Sequence, residues 1–186
     1  MRHRYHTRGI ILTRTSVGEA NALITVLAAE LGLVRARAQG VRRSGAKLAP
    51  ALTTFAESTL VVVRGREGWR IAGAVLETPW FARFTTRETR DTAARVVGLV
   101  IRLAPGEGEN TELFSILESF FTALATCSPE MYEAIEILAA LRILAVLGFD
   151  AGGIPTGFSL KVLKKVMSER LVYIARVNRG IEASGL

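Results

Sequence analysis

Chemistry-bearing residues are scarce in this chain of 186 residues. Cysteine occurs once, at Cys127, which excludes an internal disulfide and a thiolate set for structural zinc. The two histidines, His3 and His6, are expected to lie in a mobile N-terminus. With no further histidine, Ser-His and Cys-His catalysis have no base. Neither G-x-x-x-x-G-K-[ST] nor a G-x-G-x-x-G that opens a helix after a strand is present. Gly106-Glu107-Gly108-Glu109 follows a helical segment and would set two carboxylates against any phosphate. The pairs Glu107/Glu109 and Glu133/Glu136 read as solvated surface rather than acid–base dyads. These gaps speak against an enzyme and against a cofactor. Long apolar runs are missing as well: Ile135–Phe149 is too short and too interrupted by charge to span a bilayer. The basic start, Met1-Arg2-His3-Arg4-Tyr5-His6, leads into no apolar core with a cleavage site. A cytoplasmic, soluble protein without a membrane partner is the expectation.

What the chain does have is cationic charge, unevenly placed. Residues 1–79 hold 12 Lys/Arg against 5 Asp/Glu, residues 80–160 hold 6 against 10, and residues 161–186 hold 6 against 2. The whole-chain surplus of +7 therefore belongs to the N-terminal segment and a short tail. Such asymmetry points to a polyanion for one part of the molecule and another task for the rest. The densest stretch is Arg35, Arg37, Arg42, Arg43 and Lys47. Basic residues alternating along an extended segment favour nucleic acid over a membrane surface, which calls for an amphipathic helix.

The first 79 residues read as β. Gly9–Thr15, Leu23–Leu27, Leu33–Ala38, Ser58–Val63 and Trp69–Leu76 have the branched, apolar composition of strands. Glu30-Leu31-Gly32 and Arg64-Gly65-Arg66-Glu67-Gly68 supply hairpin loops. An alanine-rich helix over Ala20–Leu31 is the rival for the second segment. On the third, Arg35 and Arg37 share one face, and Val34, Ala36 and Ala38 take the other. Five short strands fit a small barrel, of which the partly open OB fold is one closure.

After Pro79 the period becomes helical. Ala93, Val96, Val97, Val100 and Ile101 mark a helix from Thr86 to Leu103, broken at Ala104–Glu109. Asn110 or Thr111 caps a second helix, through Leu124. Ser128-Pro129-Glu130 opens a third, ending at Gly148. Ala151–Gly157 reads as an irregular loop, and Ser159–Ala183 as one or two basic helices. The fold class is therefore α+β: a five-stranded OB-fold barrel over 1–79, then an all-α domain over 80–186. Inside the third helix Arg142 either snorkels or pairs with an acid, or stands as a cation beside an apolar groove.

Gly18-Glu19, the strand–turn–strand after it, and Ala38-Gln39-Gly40-Val41-Arg42-Arg43-Ser44 together resemble the bacterial RecO family of DNA-repair recombination mediators. Leu48, Leu52 and Phe55 match a following Leu…Phe stretch, and Leu147-Gly148-Phe149 a Leu-Gly-aromatic at the end of a central helix. The departures are Asn21 where Asp is usual, Leu33 and Gln39 where a basic residue is usual, and Ala151–Gly157 in place of a four-cysteine zinc element. The chain thus looks like a short, zinc-free version.

The resemblance implies an OB domain that binds single- and double-stranded DNA and anneals complementary strands, within a cytoplasmic, nucleoid-associated protein. It also implies two partners in recombinase loading: RecR and the acidic C-terminal tail of single-stranded-DNA-binding protein. The residues suit backbone binding, since Tyr5, Phe55 and Trp69 are the only aromatics among residues 1–79. Phe55 and Trp69 are expected in the barrel core. Arg35, Arg37, Arg42, Arg43 and Lys47 are the candidate phosphate contacts, extended by Arg64 and Arg66. Arg142, Lys161, Lys164 and Lys165 are candidates to flank a groove for an acidic peptide. The competing class is an OB-fold adaptor for RNA or protein.

Overall fold

A computed structural model describes residues 3–186. Met1 and Arg2 of the basic start lie outside the described residues. The chain divides into two compact units. One takes in the described residues up to Arg83 together with Pro105–Phe114; the other comprises Phe84–Ala104 and Ser115–Leu186. No helix among the described residues is long and apolar enough to cross a membrane.

The first unit is built on five strands: β1 (Arg4–Val17), β2 (Asn21–Ala28), β3 (Gly32–Ala38), β4 (Ala56–Gly65) and β5 (Gly68–Pro79). They close into a barrel in the order β1-β2-β3-β5-β4. The segment with a helical rival, 20–31, is strand β2 over Asn21–Ala28, because its branched residues pair on both sides. Val26 faces Ile11 of β1 and Val34 of β3. Closure rests on a short parallel contact, Ala36↔Trp69 and Arg37↔Arg70. β1 is longer than its apolar core suggests and serves two ladders, pairing with β4 over Arg4–Ile10 and with β2 over Gly9–Val17. Only glycine fits at Gly9, where the two ladders overlap. A Cβ on Gly9 would lie 2.6 Å from Val26 Cγ2 and 2.9 Å from Leu60 Cδ1. His6 is part of β1, opposite Val61, so the expected mobile N-terminus gives way to a paired strand.

Alternation sorts the side chains. Val34, Ala36 and Ala38 of β3 point inward with Ile24, Val26, Leu60, Val62, Trp69 and Ile71, forming the barrel core. Each fully buried Ile, Leu or Val of that core stabilises the unit by roughly 1.5–3 kcal/mol relative to exposure. Arg14 also faces inward but is satisfied, donating to the carbonyls of Val41 (3.3 Å) and Ala49 (3.5 Å). Phe55 and Trp69 are both buried. After β5 comes a short helix, α1 (Trp80–Arg83), not foreseen in the sequence. Its Trp80 Nε1 donates to the buried Glu57 carboxylate at 3.0 Å, and Arg8 donates to the same carboxylate.

The second unit is helical. Its elements are α2 (Arg87–Leu103), α3 (Thr111–Thr126, whose first turn belongs to the barrel unit), α4 (Tyr132–Val146), α5 (Leu160–Ser168) and α6 (Arg170–Ala183). Thr86 caps α2 by accepting from the Thr89 N–H, and Asn110 accepts from the Leu113 N–H at 3.0 Å. The start read at Ser128 is displaced. Pro129–Met131 forms a single 3₁₀ turn, the Ser128 hydroxyl bonds the Glu130 carboxylate instead of a backbone N–H, and α4 begins at Tyr132. α4 is the central helix, burying Ile135, Leu138, Ala139, Leu141 and Leu144.

Candidate nucleic-acid interface

Strand pairing decides which cations meet. On the outer face of β3, Arg35 stands opposite Thr25 and Arg37 opposite Leu23. Both arginines are exposed, and the intervening Ala36 is fully buried. Across the parallel contact Arg37 is in register with Arg70; Arg70 is in register with Val63, and Val63 with Arg4. Register partners share a face, so Arg37, Arg70 and Arg4 lie along one row across β3, β5, β4 and β1. Neighbouring strands in such a row are about 4.8 Å apart.

Neither Arg70 nor Arg4 was singled out in the sequence. Alternation against Trp69 and Ile71 assigns Arg70 to the outer face, but only the β3–β5 pairing sets it beside Arg37. A sequence read strand by strand carries no sign of that non-local pairing.

Beyond the end of β3 the chain folds back onto the β1–β2 turn. The Gly40 N–H donates to the Asn21 side chain (3.0 Å), and the Arg42 N–H to the Ala20 carbonyl (3.0 Å). The Arg42 guanidinium also donates to the Gly18 carbonyl (2.6 Å). The Asn21 side-chain oxygen thus ties the end of β3 to the β1–β2 turn. Gln39, Arg42, Arg43 and Lys47 are exposed around this turn. At the opposite end of β3 the β4–β5 hairpin carries Arg64 and Arg66, both exposed. The parallel register sets this tip beside the first half of β3. The seven residues proposed from sequence therefore fall at the hairpin tip, on outer β3 and around the β1–β2 turn, with Arg64 in register with the inward-facing Trp69 at the barrel's end.

These cations differ in what already holds them. Arg4, Arg35, Arg43, Lys47, Arg66 and Arg70 make no side-chain hydrogen bond or ion pair among the described residues. Arg37 sits 3.5 Å from Glu67, itself 87% exposed, a geometry worth little in water. Arg64 is more firmly held, 2.8 Å from Glu107 and with its guanidinium carbon 5.3 Å from the centre of the Trp69 ring. Trp69 is only 7% exposed, so little of its ring is open for base stacking. Its neighbour Tyr5, 5.2 Å away edge to face, is 38% exposed.

In the helical unit the four residues proposed for a peptide groove separate. Lys161, Lys164 and Lys165 are exposed on α5, whose Leu163 and Val166 are buried. Arg142 is turned onto its own chain. Its guanidinium donates to the carbonyls of Pro155 and Gly157 (the latter at 2.8 Å) and lies 4.7 Å from the Phe158 ring centre. Burial pushes its pKa below the ordinary arginine value. Neither an acid nor a groove explains Arg142; loop carbonyls do.

An apolar groove of 570 Å³ does occur in this unit, between α2, α4 and α6. Val96, Leu99, Ile137 and Val177 line it, with Arg95 and Arg102 beside them, and none of the four proposed residues takes part. Arg95 forms two 2.6 Å bonds to Glu136, which raises its pKa. Arg170 is likewise paired with Glu133, so the Glu133/Glu136 pair serves as counter-ions. Among the described residues no group of three or more His, Cys, Asp or Glu is placed to hold a metal. The segment after Phe149 carries no thiol or imidazole and does not fit a zinc ion.

Residues 1–78 match the family profile described as Recombination protein O N terminal. Curated relatives named DNA repair protein RecO extend the likeness into the helical unit. That of Dehalococcoides mccartyi is 28% identical over 117 residues, 63% of this chain and 46% of the relative. That of Acaryochloris marina is 31% identical over 150 residues, 80% of this chain and 50% of the relative. That of a Roseiflexus species is 36% identical over 126 residues, 67% of this chain and 44% of the relative. The chain spans about half the length of the curated relatives it matches. With a closed five-stranded ring over the matched residues and relatives of one name across most of its length, the chain belongs to the RecO family of DNA repair proteins.

Proposed function

We propose that the barrel unit binds single- and double-stranded DNA through backbone phosphates, and that the protein is a non-catalytic recombination mediator that anneals complementary strands. The observation that carries this is the arginine strip on outer β3. Arg35, Arg37 and Arg70 are held by rigid strands, face outward, and lack strong internal counter-ions. Arg42, Arg43 and Lys47 continue it at one end, and Arg64 and Arg66 at the other. Annealing two strands means bringing two phosphate backbones together without locking onto bases. Buried Phe55 and Trp69 leave the strip with cations and few stacking surfaces, which suits that task.

RecR and the acidic tail of single-stranded-DNA-binding protein are the partners this reading carries, in the loading of recombinase. For the tail, the α2–α4–α6 groove with Arg102 at its edge is a better fit than Arg142, and Lys161, Lys164 and Lys165 add positive potential in the same unit.

Annealing of complementary oligonucleotides, with and without single-stranded-DNA-binding protein, tests the proposal in wild type and Arg42→Ala/Arg43→Ala. Fast annealing that the variant slows, with binding less salt-dependent by roughly 1.4 units of slope for two phosphate contacts on a single strand, is expected. No acceleration by folded wild type would overturn it and favour an adaptor for RNA or protein.

A further inference from the structure

Gly106-Glu107-Gly108-Glu109 has no part in the phosphate strip as the sequence presents it, yet the fold brings it there. The segment runs back along the β2–β3 turn as a minimal extra strand. Leu33 N–H donates to Gly106 O (2.9 Å), Gly108 N–H to Leu31 O (3.0 Å), and Gly32 and Glu107 form an antiparallel bridge. The fit is close: a Cβ on Gly32 would lie 2.2 Å from Gly108 O and 2.7 Å from Gly106 O. Glu107 is thereby held by its own backbone, 2.8 Å from Arg64, whose other side rests on Trp69. Glu67, by contrast, rides on the hairpin tip at 3.5 Å from Arg37 and is almost fully exposed.

We infer that Glu107 is an internal competitor for phosphate: its carboxylate occupies the Arg64 guanidinium and limits how strongly this end of the strip holds DNA. The inference rests on the DNA-binding reading above. A carboxylate and a phosphate oxygen ask the same of a guanidinium, namely acceptors for its N–H fork. The two side chains are 60% and 45% exposed, so the pair is open to exchange and no rearrangement of the barrel is needed for phosphate to replace it. A mediator that must release strands after pairing them gains from such a brake, since affinity without it would slow dissociation.

The test is binding of an oligo-deoxythymidine to the full chain across a salt series, comparing wild type, Glu107→Gln, Glu67→Gln, Arg64→Ala and Arg64→Ala/Glu107→Gln. Glu107→Gln is expected to bind about three- to tenfold more tightly at low salt, with a salt slope steeper by roughly 0.7 as Arg64 gains a phosphate. Glu67→Gln should change affinity less than about twofold. In the Arg64→Ala background the Glu107 substitution should give no gain. A structural role for Glu107 would weaken binding or leave it unchanged, and either result in a binding-competent protein overturns the inference alone. A gain that persists without Arg64 overturns it too, as a general charge effect. Wild type that binds no oligonucleotide overturns the DNA reading itself.

Discussion

Gly32, Asn21 and Arg142 each do a job that their residue type alone does not declare. Gly32 adopts φ +69° and lies against the carbonyls of Gly106 and Gly108. Gly32→Ala is expected to cost more than the roughly 1–2 kcal/mol of a left-handed backbone, because the added methyl meets backbone rather than a mobile side chain. Thermal denaturation checks this, and a midpoint equal to wild type would show that the turn and the 105–110 segment move apart freely. In the sequence Gly32 was readable as a turn residue, but the second chain segment pressed against it was not. Arg142 shows the same limit from the other side. Its place within an apolar helix demanded an explanation, yet its acceptors are carbonyls 13 and 15 residues onward, and acceptors of that kind leave no trace in side-chain composition.

At the scale of elements, the loop from Asp150 to Phe158 depends on two arginines from different helices. Arg142 of α4 holds its second half. Arg176 of α6 bonds Asp150 at 2.6 Å and the Gly153 carbonyl at 3.0 Å, with both charged side chains largely buried. The hydrogen bond from Arg176 keeps the Asp150 carboxyl below its ordinary pKa, against the opposing effect of burial and aided by the Gly152 N–H. A folded pKa below the unfolded value means the contribution is full above the ordinary carboxylate range and fades as pH falls through the folded value. Asp150→Asn should therefore be less stable than wild type at pH 7 by about 1–2 kcal/mol, and the gap should close as pH falls below the ordinary carboxylate range through the lowered folded value. Melting curves at several pH values check it; a gap independent of pH would mean that the charge is not what holds the loop. Strands were legible because alternation is local, as in Val34-Arg35-Ala36-Arg37-Ala38. The start of α4 was misplaced because Ser128-Pro129-Glu130 has the residues of a capped helix, while the Ser128 hydroxyl finds the Glu130 carboxylate instead.

For the molecule as a whole, the uneven charge of the sequence becomes one ordered surface only through closure of the barrel. Of the cations named from sequence, Arg35 and Arg37 share the outer face of β3, and Arg70 and Arg4 join Arg37 there through the pairing of β3 with β5 and of β4 with β1. Phe55 and Trp69 of the same unit are buried, which on the proposed reading leaves phosphate as the ligand chemistry of the surface. Arg37 and Arg70 are neighbours on rigid strands, and exchanging them for alanine removes charge without touching the core, since both point away from Ala36, Trp69 and Ile71. The decisive measurement is the salt dependence of oligonucleotide binding by wild type and Arg37→Ala/Arg70→Ala, with thermal midpoints to verify folding. Weaker binding with a slope shallower by roughly 1.4 is expected, two phosphate contacts having been lost at about 0.7 each on a single strand. An unchanged slope and affinity in a folded variant would contradict the central claim, because DNA would then be held somewhere other than the outer face of β3.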